Sequence, residues 1–127
     1  MHSQADGDSL VILAEEDTTQ RREIVRYLQE HDFRVLHAAD ADEAMALLRS
    51  HPEAHAFITD AHIPGKIDGH ELARVVRQRW PDMAVVIISG HSDASSGPVP
   101  DGAEFIAKPY LLEHLAAILR RMIGQDR

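Results

Sequence analysis

Four apolar runs of this chain end on side chains capable of ionic or hydroxyl chemistry. These side chains are Glu16 and Asp17, Asp60, Ser89 and Lys108. In an open parallel sheet the functional site lies outside the carboxyl ends of the strands, so we expect these side chains to lie together. Carboxylates in one crevice repel each other unless a cation is present, and their oxygens suit magnesium better than zinc. The sequence therefore predicts a magnesium site.

A lysine and a hydroxyl complete this predicted site. Lys108 supplies a point charge and Ser89 a hydrogen-bonding group, and both suit a phosphoryl group carried by one of the carboxylates. The set therefore predicts acyl-phosphate chemistry on one of these carboxylates. A zinc site is not expected, because the nine histidines are scattered without the spacing of a helical metal site.

Five short apolar segments are predicted to be the strands that position these residues. They are 10–14, 34–37, 56–59, 84–89 and 105–107. The longer runs are almost continuously apolar, as is typical of strands buried on both faces. Helical spacing separates them, and this alternation predicts an α/β domain with a parallel sheet.

Helices are predicted from caps and from apolar spacing. The first begins at Thr18 or Thr19, while Asp40 and Asp68 each precede a glutamate by three residues, as in a capping box. The last helix covers about 111–123 and carries a stripe broader than one packing seam needs. We expect this stripe to be mainly core, with a homodimer through it as the alternative.

Length and charge narrow the class of protein. With 127 residues the chain has room for one domain, predicted at 9–124 after a flexible tail at 1–8. Its net charge of -8 opposes binding to nucleic acid. It has no cysteine and no apolar run long enough for a signal peptide or a membrane span. We therefore expect a cytoplasmic protein that contacts neither membrane nor nucleic acid.

These motifs resemble a bacterial response-regulator receiver domain of the stand-alone type, which serves two-component signalling. The resemblance covers residues 9 to 124 and rests on the acidic run ending at Asp17, on Thr-Asp60-Ala-His-Ile-Pro, on Ile-Ile-Ser89-Gly and on Phe-Ile-Ala-Lys108-Pro. It implies a flavodoxin-like, doubly wound fold whose five parallel strands lie in the order 2-1-3-4-5, with helices on both faces.

The resemblance also implies a chemical role for each residue. Asp60 would accept phosphate from a histidine kinase, a phosphotransfer protein or a small phosphodonor. Lys108 and Ser89 would bind the phosphoryl oxygens. Mg²⁺ would be held by Asp17, Asp60 and the backbone carbonyl of His62, with Glu16 acting through water. The protein would catalyse only its own phosphorylation and dephosphorylation.

The resemblance also implies a conformational switch. Phosphorylation would rearrange the loop after Ser89 and turn Phe105 inward, which would change binding to a downstream protein. The domain could also act as a phosphate sink. Pro109 resembles the cis-proline of the family, and His62 and His91 are candidates for tuning dephosphorylation.

The sequence departs from the family pattern at three places. The spacing from Asp60 to the following Asp-Gly pair is one residue longer, with the extra residue near Lys66. Glu15 stands at a strand position that is ordinarily apolar, where a carboxylate is unfavourable unless exposed, paired or protonated. The segment 91–103, rich in Ser, Pro and Gly, lacks a helical period, so we expect the fourth helix of the family to be short or absent.

Two other classes of function remain open on the sequence alone. A phosphohydrolase with an aspartyl-phosphate intermediate would need a substrate cap and an acid two residues after the nucleophile, where this chain has His62. A phosphorylation-independent interaction module would keep the fold, and its affinity for a partner would not change on Asp60→Asn.

Overall fold

Strands and helices alternate along the chain in the computed structural model, which describes residues 9–90 and 98–124. The strands are β1 Ser9–Ala14, β2 Phe33–Ala38, β3 Ala56–Asp60, β4 Ala84–Ser89 and β5 Glu104–Ala107. The helices are α1 Thr18–Glu30, α2 Ala41–Ser50, α3 Gly69–Arg79 and α4 Leu112–Gly124. All five predicted strands are therefore present, and no strand end differs from its predicted position by more than one residue.

The five strands form one parallel sheet in the order β2-β1-β3-β4-β5. Along β1, Leu10 and Ile12 face one helical layer, while Val11 and Leu13 face the other. Successive side chains of a strand point to opposite faces, so a strand covered on both faces must be apolar at every position. The predicted fold class and strand order are confirmed.

Helices α2 and α3 cover one face of the sheet, and α1 and α4 cover the other. The apolar stripe of α4 is buried in the second layer, where its residues include Leu115, Leu119 and Ile123. Leu111, just before α4, is 66% exposed. The expectation that this stripe is mainly core is thus supported, while a homodimer of this protein stays a prediction.

Aspartate caps start α2 and α3 as predicted. The Asp40 carboxylate accepts a hydrogen bond from the Glu43 amide at 2.8 Å, and the Glu43 carboxylate reaches back to the amide just before the cap. Asp68 accepts from the Glu71 amide at 2.9 Å. The Glu71 side chain, however, pairs with Arg74 instead of returning to the cap. The first capping box is therefore reciprocal and the second is one-sided.

Two of the predicted departures from the family pattern lie in loops. The longer loop after β3 is attached to the start of α2, because the Ala41 amide donates to the Pro64 carbonyl at 2.8 Å. Lys66 in this loop is exposed. In the predicted helix-poor segment, 98–103 contains no helix. The rest of that segment, 91–97, lies outside the described residues, as does the predicted tail at 1–8.

Candidate functional site

The carboxyl ends of the strands border an open crevice of about 500 Å³. Its lining residues are Glu15, Glu16, Asp17, Gln20, Asp60, His62, Gly90 and Lys108. Asp60 stands opposite Ile88 in the sheet, and Ser89 stands opposite Ala107, so the strands end at the same edge. The structure therefore brings five of the predicted site residues into one crevice, while Ser89 is buried next to the lining residue Gly90.

Asp60 ends β3, and both of its carboxylate oxygens are engaged. Oδ1 accepts a hydrogen bond from the His62 amide at 2.8 Å. Oδ2 accepts from Lys108 Nζ at 2.8 Å in an ion pair whose side chains are 12% and 26% exposed, respectively. A charge-assisted bond in such a partly shielded place is stronger than one at an open surface. The Asp60 carboxylate is therefore held in one orientation in the crevice.

Lys108 is positioned by the backbone at the end of β5. Its amide donates to the Ser89 carbonyl at 2.8 Å, which ties the two strand ends together. The Lys108–Pro109 peptide bond is cis, as the resemblance implied. The lysine side chain can thus reach the Asp60 carboxylate from a backbone that is fixed to β4.

Glu15 is the main correction to the sequence analysis. Strand β1 ends at Ala14, so Glu15 is not an interior strand residue, and its side chain lines the crevice. It is only 4% exposed. Its Oε2 accepts a hydrogen bond from the Asp17 amide at 2.9 Å. The interpretation of Glu15 as an unfavourable strand residue was therefore wrong, because its carboxylate lines the crevice.

The environment of Glu15 favours its protonated form. Burial is the largest cause that raises the pKa of Glu15, and the Asp60 carboxylate raises it further by repulsion and by hydrogen bonding to the protonated acid. The bond from the Asp17 amide and the charge of Lys108 act in the opposite direction. The Glu15 and Asp60 carboxylates thus share the positive charge of Lys108 alone. A divalent cation would reduce the repulsion between them.

Asp17 has a role that the sequence analysis did not give it. It is the N-cap of α1, and its Oδ1 accepts a hydrogen bond from the Gln20 amide at 2.8 Å. An aspartate is among the preferred residues at this position, because its oxygen satisfies an amide that the helix leaves unpaired. The predicted role of Asp17 as a magnesium ligand remains a prediction, and it now competes with the cap.

The pKa of Tyr110 is raised by burial and by the acidic side chains near it. Burial raises the pKa of Tyr110 to about 12, and the charges of Glu15 and Asp60 add to this effect. The residue is half-buried against the core layer that contains α1 and α4. Its hydroxyl therefore stays neutral beside the acidic side chains.

Phe105, the predicted switch aromatic, is half-buried in β5. It stands opposite Ile87 and packs against the core layer that contains α2 and α3, together with Val99 and Ala103. Val99 and Ala103, which pack against the same layer, belong to the segment just after residues 91–97. Its switch role remains a prediction, and His91 lies outside the described residues.

Gly69 supports the site from behind, and the sequence analysis did not single it out for this. Its amide, at the start of α3, donates to the Ala61 carbonyl at 3.0 Å. A Cβ at this position would lie 2.1 Å from the Asp60 carbonyl oxygen and 2.8 Å from the Ala61 Cα. Only glycine lets α3 approach the end of β3 this closely.

Neither a preformed metal site nor a membrane span is found in the ranges 9–90 and 98–124. No three histidine or acidic side chains there are already grouped to hold a metal ion. No helix in these ranges is long and apolar enough to cross a bilayer. The acidic side chains of the crevice would have to turn toward a cation in order to bind it.

Glu15→Gln is expected to stabilise the metal-free protein at and above neutral pH. A carboxyl whose pKa rises on folding contributes stability fully below its ordinary value of 4.5, and this is lost as pH rises through the raised value. Glutamine cannot ionise, so the variant gains about 1 kcal/mol at pH 8, the scale of one like-charge contact in water. Urea unfolding from pH 4 to pH 8 measures this gain. A difference that stays constant with pH would contradict the assignment.

Comparison with known proteins identifies the family. The model of the response regulator receiver domain matches residues 11–120. The receiver protein CpdR of Brucella abortus is 29% identical, and the match covers 89% of this chain and 95% of CpdR. The hydrogenase regulator HoxA of Cupriavidus necator is 33% identical over 88% of this chain, which spans only 24% of HoxA. The sensor kinase CckA of Brucella abortus is 31% identical, and the chain spans 13% of it.

Solved structures agree with this assignment. The receiver domain of the hybrid histidine kinase CckA superimposes with a TM-score of 0.77 at 26% identity, and the match covers 91% of this chain and 99% of that one. A receiver protein from Sinorhizobium medicae has the same fold, with a TM-score of 0.85 at 24% identity over 94% of this chain and 98% of that one. The chain therefore belongs to the response-regulator receiver family of two-component signalling.

Proposed function

We propose that the protein is phosphorylated on Asp60 and that this modification switches its binding to another protein. The observation that carries the proposal is the ion pair between Asp60 and Lys108, at 2.8 Å, beside the buried carboxyl of Glu15. A carboxylate oriented in this way can act as a nucleophile. The lysine beside it can then pair with the negative charge of the transferred phosphoryl group.

Magnesium fits the chemistry of this donor set. The crevice gathers the carboxylates of Glu15, Glu16 and Asp60 around a single lysine, and hard oxygen ligands of this kind favour Mg²⁺. We propose that Asp60, the two glutamates and the His62 carbonyl hold the ion, with Asp17 left as a helix cap. When bound, Mg²⁺ would neutralise charge that develops on the transferred phosphoryl group. A structure of the receiver TrrA from Thermotoga maritima is a complex with Mg²⁺ and beryllium fluoride.

The transfer itself is a substitution at phosphorus. A carboxylate oxygen of Asp60 forms the new O–P bond while the P–N bond of a phosphohistidine breaks, and the imidazole leaves with the electron pair and takes up a proton. Lys108, released from the carboxylate, pairs with a phosphoryl oxygen. The Ser89 hydroxyl donates to a second one, for which the end of β4 must move, because Ser89 is fully buried.

The phosphodonor would be a histidine kinase or a phosphotransfer protein, and transfer would take place in the cytoplasm. Beside the crevice, a cavity of about 520 Å³ lies along α1 and the start of α4. Arg22, Arg26 and Tyr27 are among its lining residues, and the exposed Leu111 precedes α4. The lining also includes Glu23 and Glu30. This mixture of charged and apolar side chains suits a protein interface, and we propose it as the face that meets the donor.

The proposal is tested by adding beryllium fluoride and magnesium and following the amides of Ser89, Phe105 and Lys108 by NMR. We expect all three to shift, because the mimic displaces Lys108 from Asp60, and the end of β4 is bound to the Lys108 amide. The shifts should vanish without magnesium and in Asp60→Asn. Partner binding that persists unchanged in Asp60→Asn would instead favour the phosphorylation-independent interaction module.

Asp17→Asn is expected to keep both stability and magnesium affinity. Asparagine caps a helix about as well as aspartate, whereas Asp17→Ala removes the bond to the Gln20 amide and destabilises the protein by about 1 kcal/mol. Glu15→Gln, in contrast, should weaken magnesium binding. Calorimetric titration of the three variants decides between the two acids. A large loss of affinity in Asp17→Asn alone would restore Asp17 as the ligand.

A further inference from the structure

Arg21 lies in the second turn of α1, behind the loop that carries the acidic side chains. Its Nη1 donates to the Glu15 carbonyl at 2.9 Å and to the Glu16 carbonyl at 3.3 Å. Arg21 is not among the residues that line the crevice. Its guanidinium therefore contacts the backbone of both glutamates from outside the crevice lining.

The contacts of Arg21 belong to a closed network around the loop. The Arg21 amide donates to the Asp17 carbonyl at 2.8 Å, as the first helical bond of α1. The Asp17 amide donates to the Glu15 carboxylate at 2.9 Å. One arginine thus connects the helix to the backbone that holds Glu15 and Glu16, while their side chains stay directed to the crevice.

We propose that Arg21 is a positioning residue that fixes the direction of the Glu15 and Glu16 carboxylates and thereby sets the affinity for magnesium. The inference rests on the proposed function, because it assumes that these carboxylates bind the ion. Residues that orient metal ligands from behind commonly change metal affinity or activity about tenfold or more when they are replaced. Here the arginine acts through two carbonyls and not through a ligand side chain.

The geometry favours arginine over lysine at this position. A guanidinium is planar and presents its donors in a rigid arrangement, so that a single nitrogen can stay between two neighbouring carbonyls. An ammonium group on a flexible stem keeps the charge but orders the loop less well. Arg21→Lys should therefore lie between the wild type and Arg21→Gln in magnesium affinity.

The test is calorimetric titration of magnesium into the unphosphorylated 127-residue chain and its variants. Arg21→Gln is expected to bind magnesium about tenfold more weakly than the wild type. The matched control is Arg49→Gln, which removes the same charge from an exposed position in the last turn of α2. The control should bind magnesium like the wild type. Thermal unfolding of each variant without metal shows whether the fold is kept.

The outcomes separate the inference from the proposed function. Equal affinities of Arg21→Gln and Arg49→Gln, with magnesium binding intact in the wild type, would overturn the inference alone. A wild type that does not bind magnesium at all would overturn the proposed metal site. If Arg21→Gln does not fold, the pair Arg21→Lys and Arg49→Lys decides: weaker binding only in Arg21→Lys supports the inference, and equal binding overturns it.

Discussion

Gly69→Ala is expected to destabilise the protein by about 3 kcal/mol, the upper range for an added group in a tightly packed place. The new Cβ would lie 2.1 Å from the Asp60 carbonyl oxygen, and this neighbour is backbone that cannot turn aside. Either α3 or the end of β3 must move. Alanine favours helix over glycine, so any loss of stability comes from the collision and not from helix propensity.

Gly124→Ala is the matched control for this substitution. Gly124 ends α4, and in the ranges 9–90 and 98–124 a Cβ there would meet no atom within 4 Å beyond its chain neighbours and the nearby backbone of its own helix. We expect this variant to be as stable as the wild type or slightly more stable. Urea unfolding compares the two variants. Because the displaced atoms belong to Asp60 and Ala61, Gly69→Ala should also slow phosphorylation; a variant with wild-type stability would contradict the observed close approach.

Lys108→Met is expected to slow phosphorylation of Asp60 about a hundredfold, the scale for removing one preorganised charge from a reacting centre. The lysine pairs with Asp60 at 2.8 Å in the present state and would pair with the phosphoryl group after transfer. Methionine keeps most of the aliphatic stem and removes only the charge. The rate with acetyl phosphate at saturating magnesium is the measurement.

Lys66→Met provides the control for this prediction, since Lys66 is the only other lysine of the chain. It is exposed and is not among the residues that line the crevice, so its loss should leave the rate unchanged. The double variant Lys108→Met, Asp60→Asn should be more stable than the sum of the single variants predicts, because the two residues interact directly. Equal rates for the two lysine variants would remove Lys108 from the mechanism.

The strands could be predicted from the sequence because their chemistry is local. The segment 84–88, for example, is apolar at every position, which is typical of a strand buried on both faces of a sheet. The caps at Asp40 and Asp68 were also local signals. The broad stripe of α4 was harder to interpret, because its width reflects packing against both the sheet and α1, and a single sequence does not show which neighbours cover a helix.

The residues predicted for the site that do line one crevice are Glu16, Asp17, Asp60, His62 and Lys108. Their chemical roles stay predictions. Three acidic residues follow Ala14, and the sequence predicted the metal pair at Glu16 and Asp17. The position of Asp17 just before Thr18 is a signal for a helix cap, and this signal favours the pair of Glu15 and Glu16 that we propose. The close approach at Gly69 could not be predicted, because it depends on how α3 meets the end of β3.

Phosphorylation of Asp60 can be tested most directly by chemical labelling. The protein is incubated with acetyl phosphate and magnesium, the acyl phosphate is reduced with borohydride, and the modified residue is located by tandem mass spectrometry. We expect the label on Asp60, no label without magnesium, and none in Asp60→Asn. A label on another acidic residue of the crevice, or an unlabelled wild-type protein, would contradict the claim.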